Sequence, residues 1–169
     1  KIPYHPYKKW YGCHWVLSLL ADIGHPKGDK DLVPLKEQVY EWLFSDLHQN
    51  SIRAINGLTR RCASQEGNAV YYLTQLGLED EKTEKLVNKL IEWQWPDGGW
   101  NCDKNPAAAH SSFMESLIPM RGLAIYGRTK KHEKAVKAAK KASEIFLKRR
   151  LFLGARSGEV IKPDFILLH

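Results

Sequence analysis

Residues 94–103 read QWPDGGWNCD, and this stretch determines how the segments on either side of it fold. Pro96 ends a helix, because its ring removes a hydrogen-bond donor and clashes with the preceding turn. The Asp-Gly-Gly at 97–99 is typical of a tight turn, and Trp100 is expected to fold back and bury its ring over that turn. Gln94 lies where the last carbonyls of a helix lack partners, so its amide is expected to donate to them or to the next repeat. The stretch therefore predicts a structural turn between two helices.

Segments like those around this turn recur along the chain. Three apolar segments end in glycines that lie 53 and 50 residues apart, Gly24, Gly77 and Gly127. Eighteen residues after each glycine stands a large apolar residue, Trp42, Trp95 or Ile145. Glycine tolerates the positive φ of a helix stop. Each repeat therefore predicts a helix, a glycine stop, a short polar turn and a second helix.

The apolar periodicity indicates an all-α fold. In 80–95 and in 130–149 the apolar residues recur at helical spacing, and the lysines of the second segment occupy its other face. A short helix is expected over 51–62, and another is expected to begin at 164–168. No alternating run of five or more residues predicts a longer strand. We therefore expect a single domain, 1–169, built as an α/α toroid-like array of about three helical hairpins, a partial α/α barrel.

Charge and cysteine usage narrow the function classes. The chain has 26 basic and 19 acidic residues, a net charge of +7, and the excess is concentrated in 130–150. Such a run is typical of a solvated helix face, which makes nucleic acid a less favoured partner. Three cysteines without a CxxC pair argue against a disulfide framework and against a zinc clip.

Targeting signals are also missing from the sequence. No apolar run reaches the roughly 18 residues of a membrane span. The first residues, KIPYHPYKKW, lack the apolar core of a signal peptide. The expected localisation is therefore cytoplasmic.

The stretch LIEWQWPDGGW at 90–100 resembles the QW motif of the squalene cyclase and protein prenyltransferase superfamily. Gln94, Gly98 and Trp100 match the Gln and the Gly-x-Trp of that motif. The segment HSSFMESLIPMRGLAIYG at 110–127 resembles the inner helix that follows such a motif. The chain also resembles uncharacterised prokaryotic members of this superfamily, in which WPDGGWNCD and HSSF recur. The resemblance implies a toroid whose inner helices direct their N-terminal ends at a central cavity.

The same resemblance implies where a site would lie. The residues expected to act as acid, base or ligand anchor are Asp103, His110 and Glu115. The residues expected to bind substrate are His14, Trp15, Arg61, Trp100 and Ser111. Two family motifs are missing, however: the junction AAHSSF lacks the acidic pair of the cyclases, and Ala108 and His110 stand where zinc prenyltransferases have Asp-x-Cys. Neither chemistry therefore carries over, and no metal ligand or cofactor is assigned.

Several candidates also have a structural interpretation. Cys102 and its neighbours include residue types that bind zinc, but their spacing is unlike that of a zinc site. Ser112, with Glu115 three residues later, is typical of a helix capping box. A helix N-terminus that faces a cavity also attracts anions such as diphosphate. Arg61 is suited to phosphate but equally to surface charge, and His14 to core packing.

Three functional hypotheses follow. The first is a cyclase- or prenyltransferase-like protein that binds an apolar, isoprenoid-type ligand in an aromatic-lined cavity. The second is a non-catalytic helical-repeat scaffold that binds a protein or peptide. The third is a basic domain that binds nucleic acid or an anionic membrane through 130–150. Because three hairpins fill only part of a ring, the array is expected to belong to a longer polypeptide or to self-associate through its open ends.

Overall fold

The computed structural model describes residues 12–155 and 157–167, and these are mostly helical. The helices are α1 (Cys13–Asp22), α2 (Val33–Leu43), α3 (Asp46–Gln49), α4 (Ser64–Gln75), α5 (Glu81–Glu92), α6 (Phe113–Thr129) and α7 (Glu133–Lys148). Two short 3-10 turns span Lys30–Leu32 and Pro163–Ile166, and two strands, β1 (Arg53–Ile55) and β2 (Leu58–Arg60), form a hairpin. The prediction of a helical fold is confirmed, with one small sheet added to it.

Three helices, α1, α4 and α6, form an inner layer in which α4 lies between the other two. Each of them also packs against the next long helix in the chain, α2, α5 or α7. The structure therefore contains three helical hairpins side by side. Their closure into a toroid stays a prediction.

The α4–α6 contact brings two helix backbones together. A Cβ atom at Gly67 would lie 2.7 Å from the Pro119 Cα, and one at Gly122 would lie 2.4 Å from the Gly67 carbonyl oxygen. Both distances are shorter than a non-bonded contact to a Cβ atom allows, so only glycine fits at either position. Pro119 stands inside α6, where it removes a backbone hydrogen bond.

The predicted helix over 51–62 is wrong, because this segment contains the β1–β2 hairpin. Ile55 pairs with Leu58 across a turn formed by Asn56 and Gly57. Both turn residues have positive φ, 53° and 72°, as the favoured two-residue hairpin turns require. A helix cannot include two such residues, so the Asn-Gly pair overrides the helical spacing around it.

The glycine stops are confirmed at two positions and wrong at the third. Gly24 and Gly77 have φ of 78° and 66° and follow the ends of α1 and α4. Gly127 instead lies inside α6, and Lys131 takes the positive φ beyond the end of that helix. A Cβ at Gly127 would lie 2.7 Å from the Val136 Cγ2, so this glycine serves the close approach of α7. The helix expected at 164–168 is a single 3-10 turn over Pro163–Ile166.

The outer helices α5 and α7 have the predicted amphipathic pattern. In α5 the buried side contains Leu86, Val87 and Leu90. In α7 the buried side contains Ala135, Ala138, Ala139, Ala142, Ile145 and Phe146, while its lysines are exposed to solvent. Across the described residues, no helix combines the length and the apolarity that a bilayer crossing requires.

We predict that Gly67→Ala lowers the free energy of unfolding by about 1–3 kcal/mol, because the added methyl group collides with the backbone of α6. If no atom of α6 lay beside residue 67, the same glycine-to-alanine change inside a helix would stabilise the protein by roughly 0.5–1 kcal/mol. Urea unfolding measures the difference. The control is Asn88→Ala on the exposed side of α5, which should stay within about 0.5 kcal/mol of the wild type. A neutral or stabilising Gly67→Ala would contradict the backbone contact.

Candidate functional site

The turn at 94–100 bonds to two helices, α5 and α7. The Gln94 amide donates to the Gly98 carbonyl at 2.7 Å and to the Ala138 carbonyl of α7 at 2.9 Å. The Trp100 indole N–H donates to the Leu90 carbonyl of α5 at 2.9 Å, and its ring is almost fully buried. Gln94 therefore bonds to the next repeat, which is one of the two roles expected for it from the sequence. Trp100, predicted to bind substrate, lies in the core instead, because the end of α5 needs its N–H as a donor.

Ser111, also predicted to bind substrate, closes the same turn. Its backbone N–H donates to the Asp97 carboxylate at 2.7 Å, and its hydroxyl donates to the other oxygen of that carboxylate. The hydroxyl also accepts from the Gly99 N–H at 3.1 Å. Because Ser111 is buried and these contacts occupy its polar atoms, its role in the structure is to hold the turn.

The start of α6 has half of the predicted capping box. Ser112 accepts from the Glu115 backbone N–H at 3.5 Å. The Glu115 side chain does not return to the cap; the Cys102 thiol donates to it at 3.6 Å. Burial, together with the neighbouring Glu115 charge, raises the pKa of the Cys102 thiol to about 11. Cys102 is therefore a protonated thiol at neutral pH and not an activated nucleophile.

No hydrogen bond joins the side chains of the three expected catalytic residues to one another in the described part of the chain. Asp103 is exposed and accepts from the Asn105 backbone N–H at 2.9 Å, as part of a local turn. His110 is exposed at the edge of a separate depression of about 580 Å³ that Lys141 of α7 also lines. Glu115 contacts Cys102, as described above. Within residues 12–155 and 157–167, no group of three or more His, Cys, Asp and Glu side chains is arranged to hold a metal ion.

Arg61, the next predicted substrate contact, belongs to a buried ionic cluster. Its guanidinium lies 3.1 Å from the Glu66 carboxylate and donates to the Ser51 hydroxyl at 2.9 Å. His48 of α3 lies 2.7 Å from the same Glu66 oxygen. Glu66 is 1% exposed, so the cluster is structural and joins α3 and the β-hairpin to α4. Neither His48 nor Glu66 is predicted as a site residue from the sequence, because the residues of this cluster match no motif.

The charge state of Glu66 follows from its neighbours. Burial raises the pKa of its carboxyl group, but the His48 hydrogen bond and the Arg61 charge outweigh burial and hold that pKa below its ordinary value of 4.5. Glu66 is therefore an anion at neutral pH. Its second oxygen, Oε2, is buried without a hydrogen-bond partner in the described part of the chain.

A groove of about 410 Å³ runs between the three inner helices. Its lining residues come from α1 (His14, Trp15, Ser18, Asp22), from α4 (Ser64, Gln65, Asn68) and from α6 (Met114, Ile118, Arg121). His14 and Trp15, which are neighbours in the sequence and two of the five predicted substrate contacts, both line the groove. Trp15, Met114 and Ile118 supply its large apolar side chains.

His14 is neutral in this groove. Burial lowers the pKa of its imidazole to about 4. The ring Nδ1 lies 2.9 Å from the buried Tyr72 hydroxyl, and a hydroxyl that donates there leaves the imidazole proton on Nε2. Nε2 is buried and has no hydrogen-bond partner among the described residues.

A polar cluster spans the groove and contacts all three inner helices. The Tyr71 hydroxyl and the Arg121 guanidinium both donate to the Asp22 carboxylate, at 2.8 and 2.6 Å. The Arg121 guanidinium also lies 3.6 Å from the centre of the Tyr71 ring, within cation–π range. Because Arg121 and Asp22 neutralise each other, this part of the groove has no net charge.

Comparison with protein-family models, with curated proteins and with solved structures found no match to this chain. The candidate site therefore rests on geometry. Two predicted site residues, His14 and Trp15, line the groove, and the buried Nε2 of His14 has no hydrogen-bond partner among the described residues.

We predict that Glu66→Gln lowers the free energy of unfolding at neutral pH by about 3–5 kcal/mol, because it leaves the buried Arg61 charge uncompensated. The folded-state pKa of Glu66 lies below 4.5. Above pH 4.5 the ionised Glu66 therefore stabilises the folded wild type. This stabilisation is lost as the pH falls through the folded-state pKa of Glu66. The difference between variant and wild type should shrink in acid, as measured by urea unfolding across the pH range.

Glu41→Gln is the matched control, since Glu41 is an exposed carboxylate on α2. It should change the free energy of unfolding by less than about 0.5 kcal/mol. Equal losses in the two variants would show that Glu66 has no special role.

Proposed function

We propose that this chain binds an apolar, isoprenoid-type ligand in the groove between α1, α4 and α6, in the manner of the cyclases and prenyltransferases that residues 90–100 resemble. The observation that supports this most directly is the groove itself, whose apolar side chains come from inner helices of separate repeats. Ligand sites are typically concave and mostly apolar, with few polar groups that fix orientation.

The side chains of the groove suit a ligand without strong charge. Trp15, Met114 and Ile118 offer apolar contact. His14 is neutral, and Asp22 and Arg121 compensate each other. His14 lines the groove, and its Nε2 has no hydrogen-bond partner in the described residues, so a ligand that reaches this atom would satisfy it.

The proposal concerns binding. None of Asp103, His110 and Glu115 lines the groove, so the expected acid and base do not lie beside the proposed ligand. His14 is neutral and its Nδ1 already bonds to the Tyr72 hydroxyl, so this side chain is suited to donate a hydrogen bond from Nε2 rather than to take up a proton.

A scaffold function is the second candidate. The observation in its favour is that polar side chains, among them Ser64, Gln65 and Asn68 of α4, occupy one wall of the groove. Such groups hydrogen-bond to a peptide main chain as well as to a small molecule. A scaffold would bind peptides without responding to isoprenoids.

We predict saturable binding of farnesol and squalene, detected as a change in Trp fluorescence. Met114→Asp should weaken this binding at least about tenfold, equivalent to about 1.4 kcal/mol, because ligand would bury a carboxylate. Met114 is 60% exposed, so the substitution is expected to leave the fold intact, which circular dichroism checks.

Leu47→Asp is the matched control. Leu47 lies on α3, away from the groove, and is 73% exposed. This variant should bind as the wild type does. Absence of saturable binding, or equal weakening by both substitutions, would count against a ligand site in the groove.

A further inference from the structure

Each inner helix has two opposite sides that can pack against a neighbouring inner helix. In α4 one side contacts α1, where Tyr72 bonds to His14. The other side contacts α6, where Gly67 meets Gly122. In α1 and α6 only one of these two sides has a partner helix among the described residues.

The unpartnered side of α1 is apolar. Val16, Leu19 and Ile23 are 44%, 60% and 68% exposed, and their spacing of three and four residues places them on one stripe. At the repeat spacings of 53 and 50 residues, these positions correspond to Ala69, Tyr72 and Leu76 of α4 and to Pro119, Gly122 and Tyr126 of α6. All six equivalents are buried, and Tyr72 and Gly122 contact the preceding inner helix. The apolar stripe of α1 therefore corresponds to the surface with which α4 and α6 each pack on the inner helix before them.

The unpartnered side of α6 is its complement. Leu117, Met120 and Ala124 correspond, at the spacing of 50, to Gly67, Val70 and Thr74 of α4, which are buried. Gly67 contacts the following inner helix. Leu117 is 48% exposed. Met120 and Ala124 also line an open depression of about 350 Å³, together with Val136 and Ala139 of α7.

We propose that copies of this chain associate head to tail, with the Val16–Leu19–Ile23 stripe of one copy packed on the Leu117–Met120–Ala124 side of the next. A second copy is the occupant because one chain contains both surfaces, and the repeat register matches each to the other. Gly67 and Gly122 meet at the internal α4–α6 contact; the corresponding pair between copies is Leu117 and Leu19. The contact between copies thus has two exposed leucines where the internal α4–α6 contact has two glycines. The contact between copies therefore buries side chains, whereas the internal contact brings backbones together.

The geometry makes the contact heterologous, because two different surfaces meet. A heterologous contact continues into longer arrays or closes into a ring and does not stop at a symmetric dimer. The net charge of +7 on each copy opposes association, and salt screens that repulsion. Association should therefore strengthen with salt, whereas a contact built on ion pairs would weaken.

Sedimentation velocity on the wild-type chain tests the proposal over a wide concentration range. The expected result is a mass that rises above the 19.4 kDa of one chain and rises further in salt. Leu19→Glu and Leu117→Glu should each reduce association at least about tenfold, because each introduces a charge at an apolar contact. Leu47→Glu, at an exposed position on α3 outside both sides, should associate like the wild type.

Mixing the two variants gives the decisive result. Leu19→Glu retains an intact α6 side and Leu117→Glu an intact α1 side, so the mixture should form a dimer of one copy each while either variant alone stays monomeric. A monomeric wild type at every concentration would overturn the proposal. So would association that neither variant weakens, or a mixture that stays monomeric.

Discussion

The direct contact between the backbones of α4 and α6 is the constraint on which the rest of the structure depends. Gly67 and Gly122 leave no room for a Cβ atom on either helix, so α4 and α6 lie closer together than side chains would permit. At this separation the Arg121 guanidinium reaches the ring of Tyr71 and the Asp22 carboxylate of α1. The polar cluster that crosses the groove therefore follows from two glycines that take no part in it.

Local features of this fold could be predicted from the sequence. The helical spacing in 80–95 and 130–149 indicates α5 and α7, because an amphipathic period reports which side of a helix is buried. The stretch from Gln94 to Trp100 indicates a turn, because Pro and Gly restrict or free the backbone wherever they occur. The Asn56-Gly57 pair is an equally local signal, which favours a β-hairpin over the helix expected at 51–62. Gly127 shows the opposite error, since a glycine can serve a close approach as well as a helix stop.

The candidate site was less predictable, because its residues come together only through tertiary packing. Ser111 was expected to bind substrate because of the family resemblance, whereas in the structure it bonds to Asp97 and Gly99 and completes the hydrogen bonds of the turn. Trp100 and Arg61 are likewise used inside the fold. His14 and Trp15 were found through their position in the repeat, and the structure does place them in the groove. At the repeat spacings of 53 and 50 residues, Trp15 corresponds to Asn68 and to Ile118, and all three line the groove, so the register alone indicates part of the α4 and α6 walls.

The distribution of charge separates the groove from the basic surface. The net charge of +7 invites an anionic partner, yet α7, which has much of the lysine excess, contributes no residue to the groove. Inside the groove, His14 is neutral because burial disfavours its protonated form, and Arg121 is offset by Asp22. The buried anion Glu66 is matched by Arg61 in the adjacent layer. A ligand in this groove would therefore meet little net charge, and its recognition would depend on apolar area and on single hydrogen bonds. The basic surface affects solubility and the repulsion between copies, and does not bear on what the groove binds.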